Sequence, residues 1–181
     1  RRDAPCDLLP ADVVIVTALR EERDAVKAVE TGGIGEWREH PAPGTRLRVE
    51  RRCFRADDGG ELRVALICAD DIMGSTQAVG IAGPVVTALR PRVLAMSGVS
   101  AGRPKDTELG DVVIADQLYT HDTGKRTPKG FQHDGRPHVL DVHWREKLMD
   151  FASKPGDALK WLDRRAWTTA EQRSWLLDMF S

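Results

Sequence analysis

Four short apolar runs constrain this chain more than any other feature of its sequence. They are residues 12–16 (DVVIV), 62–69 (LRVALICA), 92–98 (RVLAMSG) and 111–116 (DVVIAD), and each is continuous rather than alternating. A strand with one face in water alternates apolar and polar residues, whereas a strand covered on both faces does not. Runs of this kind predict an α/β sheet sandwiched between helices. Between the second and third runs, Ala78, Ile81, Ala82, Val85, Val86 and Leu89 recur at three-four spacing. That spacing predicts a helix over residues 75–90 with one apolar stripe, bent at Pro84. Residues 46–62 (RLRVERRCFRADDGGEL) alternate more and contain Asp-Asp-Gly-Gly, which predicts a hairpin with an exposed face.

The character changes towards the C-terminal side. Residues 120–138 (THDTGKRTPKGFQHDGRPH) are rich in Gly, Pro and charge and are expected to form a loop. From about residue 141 there is no strand-like run, and Trp144, Trp161, Trp167 and Trp175 fall at helical spacing. Thr168 and Glu171 match a capping box, after which Trp175, Leu176, Met179 and Phe180 would share one apolar face. Two regions are expected: an α/β domain over residues 11–140 and a helical, Trp-rich extension or insertion over 141–181.

Composition narrows the function classes. With 181 residues, 41% of them hydrophobic, the chain can bury one sizeable core. A formal net charge of −1, spread along the chain, offers no footprint for nucleic acid and no basic patch for a membrane surface. The apolar runs have the length of buried strands, too short to span a bilayer, and no signal-peptide pattern opens the chain. A cytoplasmic protein is expected. Cys6, Cys53 and Cys68 lack Cys-x-x-Cys spacing and read as ordinary thiols. His133, His138 and His143, five residues apart in a Gly- and Pro-containing segment, share no helical face and read as solvated side chains rather than metal ligands. No metal or cofactor is implied. The chain opens RRDAPC without a methionine, as expected of a chain cut from a longer product or processed.

Residues 13–26 (VVIVTALREERDAV) hold the first candidate chemistry. A strand ending near Val16 and a helix starting near Arg20 place Glu21 and Glu22 in the first helical turn, at the edge of the sheet where open α/β sheets bind ligands. Carboxylates there also complement the helix dipole, a surface effect of about 0.3–1 kcal/mol. On spacing alone that simpler reading stands.

A second stretch, residues 91–125 (PRVLAMSGVSAGRPKDTELGDVVIADQLYTHDTGK), adds to it. The small-residue loop 98–102, the LGDVVIAD run at 109–116, the YTHDTGK turn and MGSTQA opening at Met73 occur in order. Together they resemble the purine nucleoside phosphorylase and uridine phosphorylase superfamily, and within it the methylthioadenosine/S-adenosylhomocysteine nucleosidases. The likeness spans about residues 12–131. It implies a three-layer sandwich around a mixed twisted sheet. TALREER then resembles the family's first-strand motif, with Glu22 on the position of the glutamate that handles the attacking water. Met73 and the loop of Gly98, Val99, Ser100, Ala101 and Gly102 would bind substrate, a purine nucleoside or nucleotide. In the nucleosidases the position of Val99 is a serine, so Ser100 is the hydroxyl that remains.

Chemistry agrees with hydrolysis. Cleaving an N-glycosidic bond builds oxocarbenium character on the sugar and negative charge on the base, so a nucleophile is needed under the ribose. A carboxylate suits water; a phosphate nucleophile would call for cations. The family's later Met-Glu strand and proton-donating Asp have no counterpart here, which implies the N-terminal part of a catalytic fold. Three readings follow: an N-ribosidase, a nucleotide-sensing or scaffolding module of a bacterial signalling or defence protein, and a phosphate-dependent phosphorylase. Lys125, Arg126 and Lys129 are candidate phosphate contacts. The nucleosidase branch is commonly dimeric, so a homodimer, or another protein partner through the helical tail, is expected.

Overall fold

Three of the four apolar runs become adjacent parallel strands. The computed structural model describes residues 10–69, 75–102, 106–107, 111–119, 124–133, 135 and 137–153. It divides into two compact units, one up to Ala101 and one from Gly102.

The first unit runs β1 (Val13–Thr17), α1 (Arg20–Lys27), β2 (Gly33–Pro41), β3 (Arg48–Arg55), β4 (Glu61–Cys68), α2 (Ser75–Leu89) and β5 (Val93–Met96). These strands form one mixed sheet in the order β2-β3-β4-β1-β5. β1 lies parallel to β4 and to β5, with Ile15 beside Leu66 on one side and Ala95 on the other. β2, β3 and β4 are antiparallel neighbours, and the Asp-Asp-Gly-Gly turn between β3 and β4 closes with Gly59 at φ +80°. Asp58 accepts a 2.9 Å hydrogen bond from the Gly60 amide there, the local bond that makes Asp a turn former.

Both faces of the central strands are covered, as continuous apolar runs require. On one face Val14, Val16, Val49, Ala65 and Ile67 pack with Val85 and Leu89 of α2, and Ile81 and Ala82 complete the stripe. The expected helix forms over Ser75–Leu89 with Pro84 inside it. On the other face, the row Ile15, Leu66 and Glu50 lies in register. Glu50 there pairs with Arg23, at 3.7 Å, and with Lys27, both on α1. The hairpin has no fully exposed face: Arg51, Arg52 and Cys53 are all buried in succession. Arg52 forms a bidentate pair with Glu30 through its two terminal nitrogens, at 2.9 and 2.6 Å, and lies over Phe54, while its buried Nε finds no hydrogen-bond partner among the described residues.

The second unit departs further from expectation. Residues 111–115 form no strand, although DVVIAD predicts one. A strand needs a backbone neighbour, and the residues that find one are β6 (Gln117–Tyr119), paired with β9 (Pro137–Val139). Val112 and Ile114 instead line a cavity of about 330 Å³ with Leu140, Leu148 and Met149. The expected loop 120–138 contains a hairpin, β7 (Gly124–Thr127) and β8 (Gly130–His133), turned at Pro128-Lys129 with Gly130 at φ +120°. Helix α3 (Val142–Ser153) opens the helical region and carries Trp144. Trp161, Trp167, Trp175, the Thr168–Glu171 capping box and the apolar face after it lie outside the described residues. So does Met73.

The cysteines are not all ordinary thiols. Cys68 keeps its thiol, whose Sγ lies 3.8 Å from the Ala18 carbonyl, but Cys53, 4% exposed on β3, is disulfide-bonded. Spacing along the chain carries no information about which cysteines a sheet brings together. No helix among the described residues is long and apolar enough to cross a membrane.

Candidate functional site at the ends of two parallel strands

β1 and β5 end side by side, with Val16 opposite Met96. The pairing continues one residue further, where the Ser97 amide donates to the Val16 carbonyl at 3.0 Å. Beyond that point both chains turn away. The β1 chain passes through Ala18 and Leu19, the latter extended at φ −107° and ψ 156°, into the first turn of α1. The β5 chain continues through Gly98 and Val99 as irregular backbone.

Glu22 bridges the two exits. Its Oε2 accepts hydrogen bonds from the amides of Ala18 at 2.9 Å and Leu19 at 3.0 Å, and its Oε1 accepts one from the Val99 amide at 2.8 Å. The bond from Leu19, the N-cap, is the glutamate half of a capping box: Glu22 is the third residue of α1 and reaches back to one of the unsatisfied donors that every helix start leaves, and the Ala18 amide just before the cap adds a second bond. Leu19 has no side-chain oxygen to return the bond, so the helix start rests on this one carboxylate.

The electrostatics follow from those contacts. Burial is the largest single influence on the carboxyl and pushes it up, but the amides of Leu19, Val99 and Ala18 together outweigh it. The result is a carboxyl held below the ordinary glutamate value, ionised at neutral pH. Glu22 makes no ion pair among the described residues. A carboxylate offers about four acceptor positions. With two bonds on Oε2 and one on Oε1, one position on Oε1 is left for a further donor.

The other sequence-derived candidates fall as follows. Glu21 is exposed and contributes nothing to this cluster. Val99 presents its amide to Glu22 while its side chain stays in solvent, 88% exposed. Ser100 and Ala101 follow it, exposed, at the end of the first unit. Gly102 belongs to the second unit, where its α-carbon lies against the Thr107 side chain. Lys125, Arg126 and Lys129 are exposed on the β7–β8 hairpin of that unit. His133, His138 and His143 stand on β8, β9 and α3 respectively.

Sequence reasoning did not single out Ala18 and Leu19, whose backbone amides orient Glu22; a side-chain pattern does not report amide donors. It also passed over Thr17, the last residue of β1, which is fully buried with a hydroxyl that has no hydrogen-bond partner among the described residues. Buried polar groups without partners are rare enough to mark a position. Compared with protein-family models, curated proteins and solved structures, the chain matches none.

Proposed function

We propose that this chain carries part of a purine nucleoside or nucleotide N-ribosidase site, in which Glu22 orients and deprotonates the water that attacks the anomeric carbon. The observation that carries the reading is the Glu22 carboxylate itself. It is ionised, spans the C-terminal ends of two adjacent parallel strands, faces the small-residue segment at Gly98, and has one acceptor position left on Oε1. Ligands of parallel sheets bind at that edge. The helices on opposite faces of the sheet agree with a nucleoside phosphorylase-like sandwich, and the TALREER and residues 98–102 motifs resemble the nucleosidase branch.

Each step draws on a stated group. As the glycosidic bond lengthens, positive charge grows on the sugar; an anionic carboxylate nearby lowers the energy of that state. Water held by Oε1 loses a proton as it attacks, the proton passing to Glu22. A carboxylate with a depressed pKa is a weak base, so it takes the proton only once bonding to the anomeric carbon has made the attacking water strongly acidic. Substrate binding would then involve Ser100 and Ala101, with Met73 as a further candidate. A carboxylate at this position suits water better than a phosphate dianion, which it would repel.

The test is to incubate the full-length protein with adenosine, methylthioadenosine, AMP and ATP, with and without inorganic phosphate, and to follow free base by chromatography. Base release without phosphate is expected. Release only with phosphate would replace the reading by a phosphorylase, and no release from any of the four would overturn it.

One observation favours a second reading. Three amides on one carboxylate are also what a structural clamp requires, and a protein that senses or scaffolds nucleotides needs the clamp without the chemistry. Calorimetric binding of a purine nucleotide without turnover would select it. A homodimer, or a protein partner on the helical tail, belongs to either reading and is checked by sedimentation.

A further inference from the structure

We infer that Gly98 and Val99 form a positioning element for Glu22, holding its carboxylate across the two strand exits and leaving it a single acceptor direction, rather than acting as ligand contacts. The chemistry of this inference rests on the N-ribosidase reading; the contacts do not.

Three observations converge. The Val99 amide, the donor that a ligand oxygen would otherwise use, is already committed to Glu22 Oε1 at 2.8 Å. Gly98 lies directly against the carboxylate: a β-carbon there would sit 2.7 Å from Oε1, 3.1 Å from Cδ and 3.2 Å from Oε2. Its φ is not in the left-handed region, so the glycine answers a need for space rather than for an unusual backbone. Finally, the Val99 side chain is 88% exposed, so the residue is not anchored by packing. What Val99 supplies is its N–H. The Ser97–Val16 bond ties the segment to β1, so the donor and Glu22 are held by one sheet.

The other titratable groups on α1 are Arg20, Glu21, Arg23, Asp24 and Lys27, and Cys68 stands at the end of β4. None enters among the influences on its carboxyl, which are burial and the three amides. Removing the Val99 amide therefore changes both the direction and the basicity of the carboxylate. Two amides from the β1 exit would remain, enough to keep α1 capped but not to fix Oε1.

The experiment begins with the intact protein, following backbone amide resonances through a pH titration. The Ala18, Leu19 and Val99 amides are expected to shift together with one midpoint below the ordinary glutamate value. A Val99 amide that does not titrate, or that follows a different midpoint, overturns the inference. Gly98→Ala is the second arm. Its midpoint for Ala18 and Leu19 should rise while Val99 stops responding. In the base-release assay kcat should fall tenfold or more with KM within twofold, and the acid limb of the pH profile should move to higher pH. An unchanged titration and pH profile in that variant overturns the inference, and the first arm decides should the variant fail to fold. A common titration in the wild type with no base released from any nucleoside supports the segment's hold on Glu22 and sinks the N-ribosidase reading alone.

Discussion

Replacing Glu22 with glutamine isolates the site from its chemistry, because the two side chains have nearly the same shape. Glutamine keeps one acceptor oxygen. If that oxygen stays with Ala18 and Leu19, the side-chain NH₂ meets the Val99 N–H, donor against donor; the reverse orientation strands two helix-start donors instead. The favoured arrangement loses one bond and turns two charge-assisted bonds into neutral ones. A bond to a charged group contributes about 1.5–3 kcal/mol and a neutral one about 0.5–1.5. Val99 is exposed, so water takes over its amide. The expected loss is therefore about 2 kcal/mol at pH 7. The sign with pH follows from the depressed carboxyl. A group whose folded-state pKa lies below its unfolded value stabilises above the unfolded value and loses that contribution as pH falls through the folded one. The unfolded glutamate titrates near about pH 4.3. Urea titrations of wild type and Glu22→Gln should thus differ most at pH 7 and converge as the pH falls from the unfolded value through the lowered folded one. Equal midpoints at pH 7, or a gap that persists unchanged in acid, would refute the bridging geometry.

Other outcomes follow from the packing. Leu89→Ala, at the fully covered end of the α2 stripe, should cost about 2–5 kcal/mol by urea denaturation because it leaves a cavity against β1. Thr17→Val should raise stability by about 1 kcal/mol in the same assay, since the buried hydroxyl has no partner to lose among the described residues. A loss there would mean the hydroxyl is bonded. Gly33→Ala places a methyl group against the Arg52 guanidinium, which is held by Glu30 and cannot easily yield. A loss of about 1–3 kcal/mol is expected, and Arg52→Met in the same background should relieve part of it.

Much of the first unit was legible in the sequence because its signals are local. Continuous β-branched runs mark strands covered twice, three-four spacing marks α2, and Asp-Asp-Gly-Gly marks the turn between β3 and β4. β2 was not foreseen: GIGEWREHP is polar, and its register with β3 shifts between Ile34 and Arg38, so the alternation that would announce a strand is broken. The run at 111–116 shows the opposite failure. Its composition suits a strand, but strand formation depends on a neighbour, and within the second unit the pairing goes to Gln117–Tyr119 instead.

The site divides along the same line. That Glu22 stands at the start of a helix after a buried strand was set by residues 13–26 alone, since propensity, capping and periodicity are properties of adjacent residues. That its carboxylate reaches Val99, 77 positions away in sequence, and leaves Glu21 in solvent was decided only when β5 came to lie beside β1. Hydrogen bonds to backbone amides leave no mark in the side-chain pattern, because which amide meets a carboxylate depends on where two strands end in space rather than on adjacent residues.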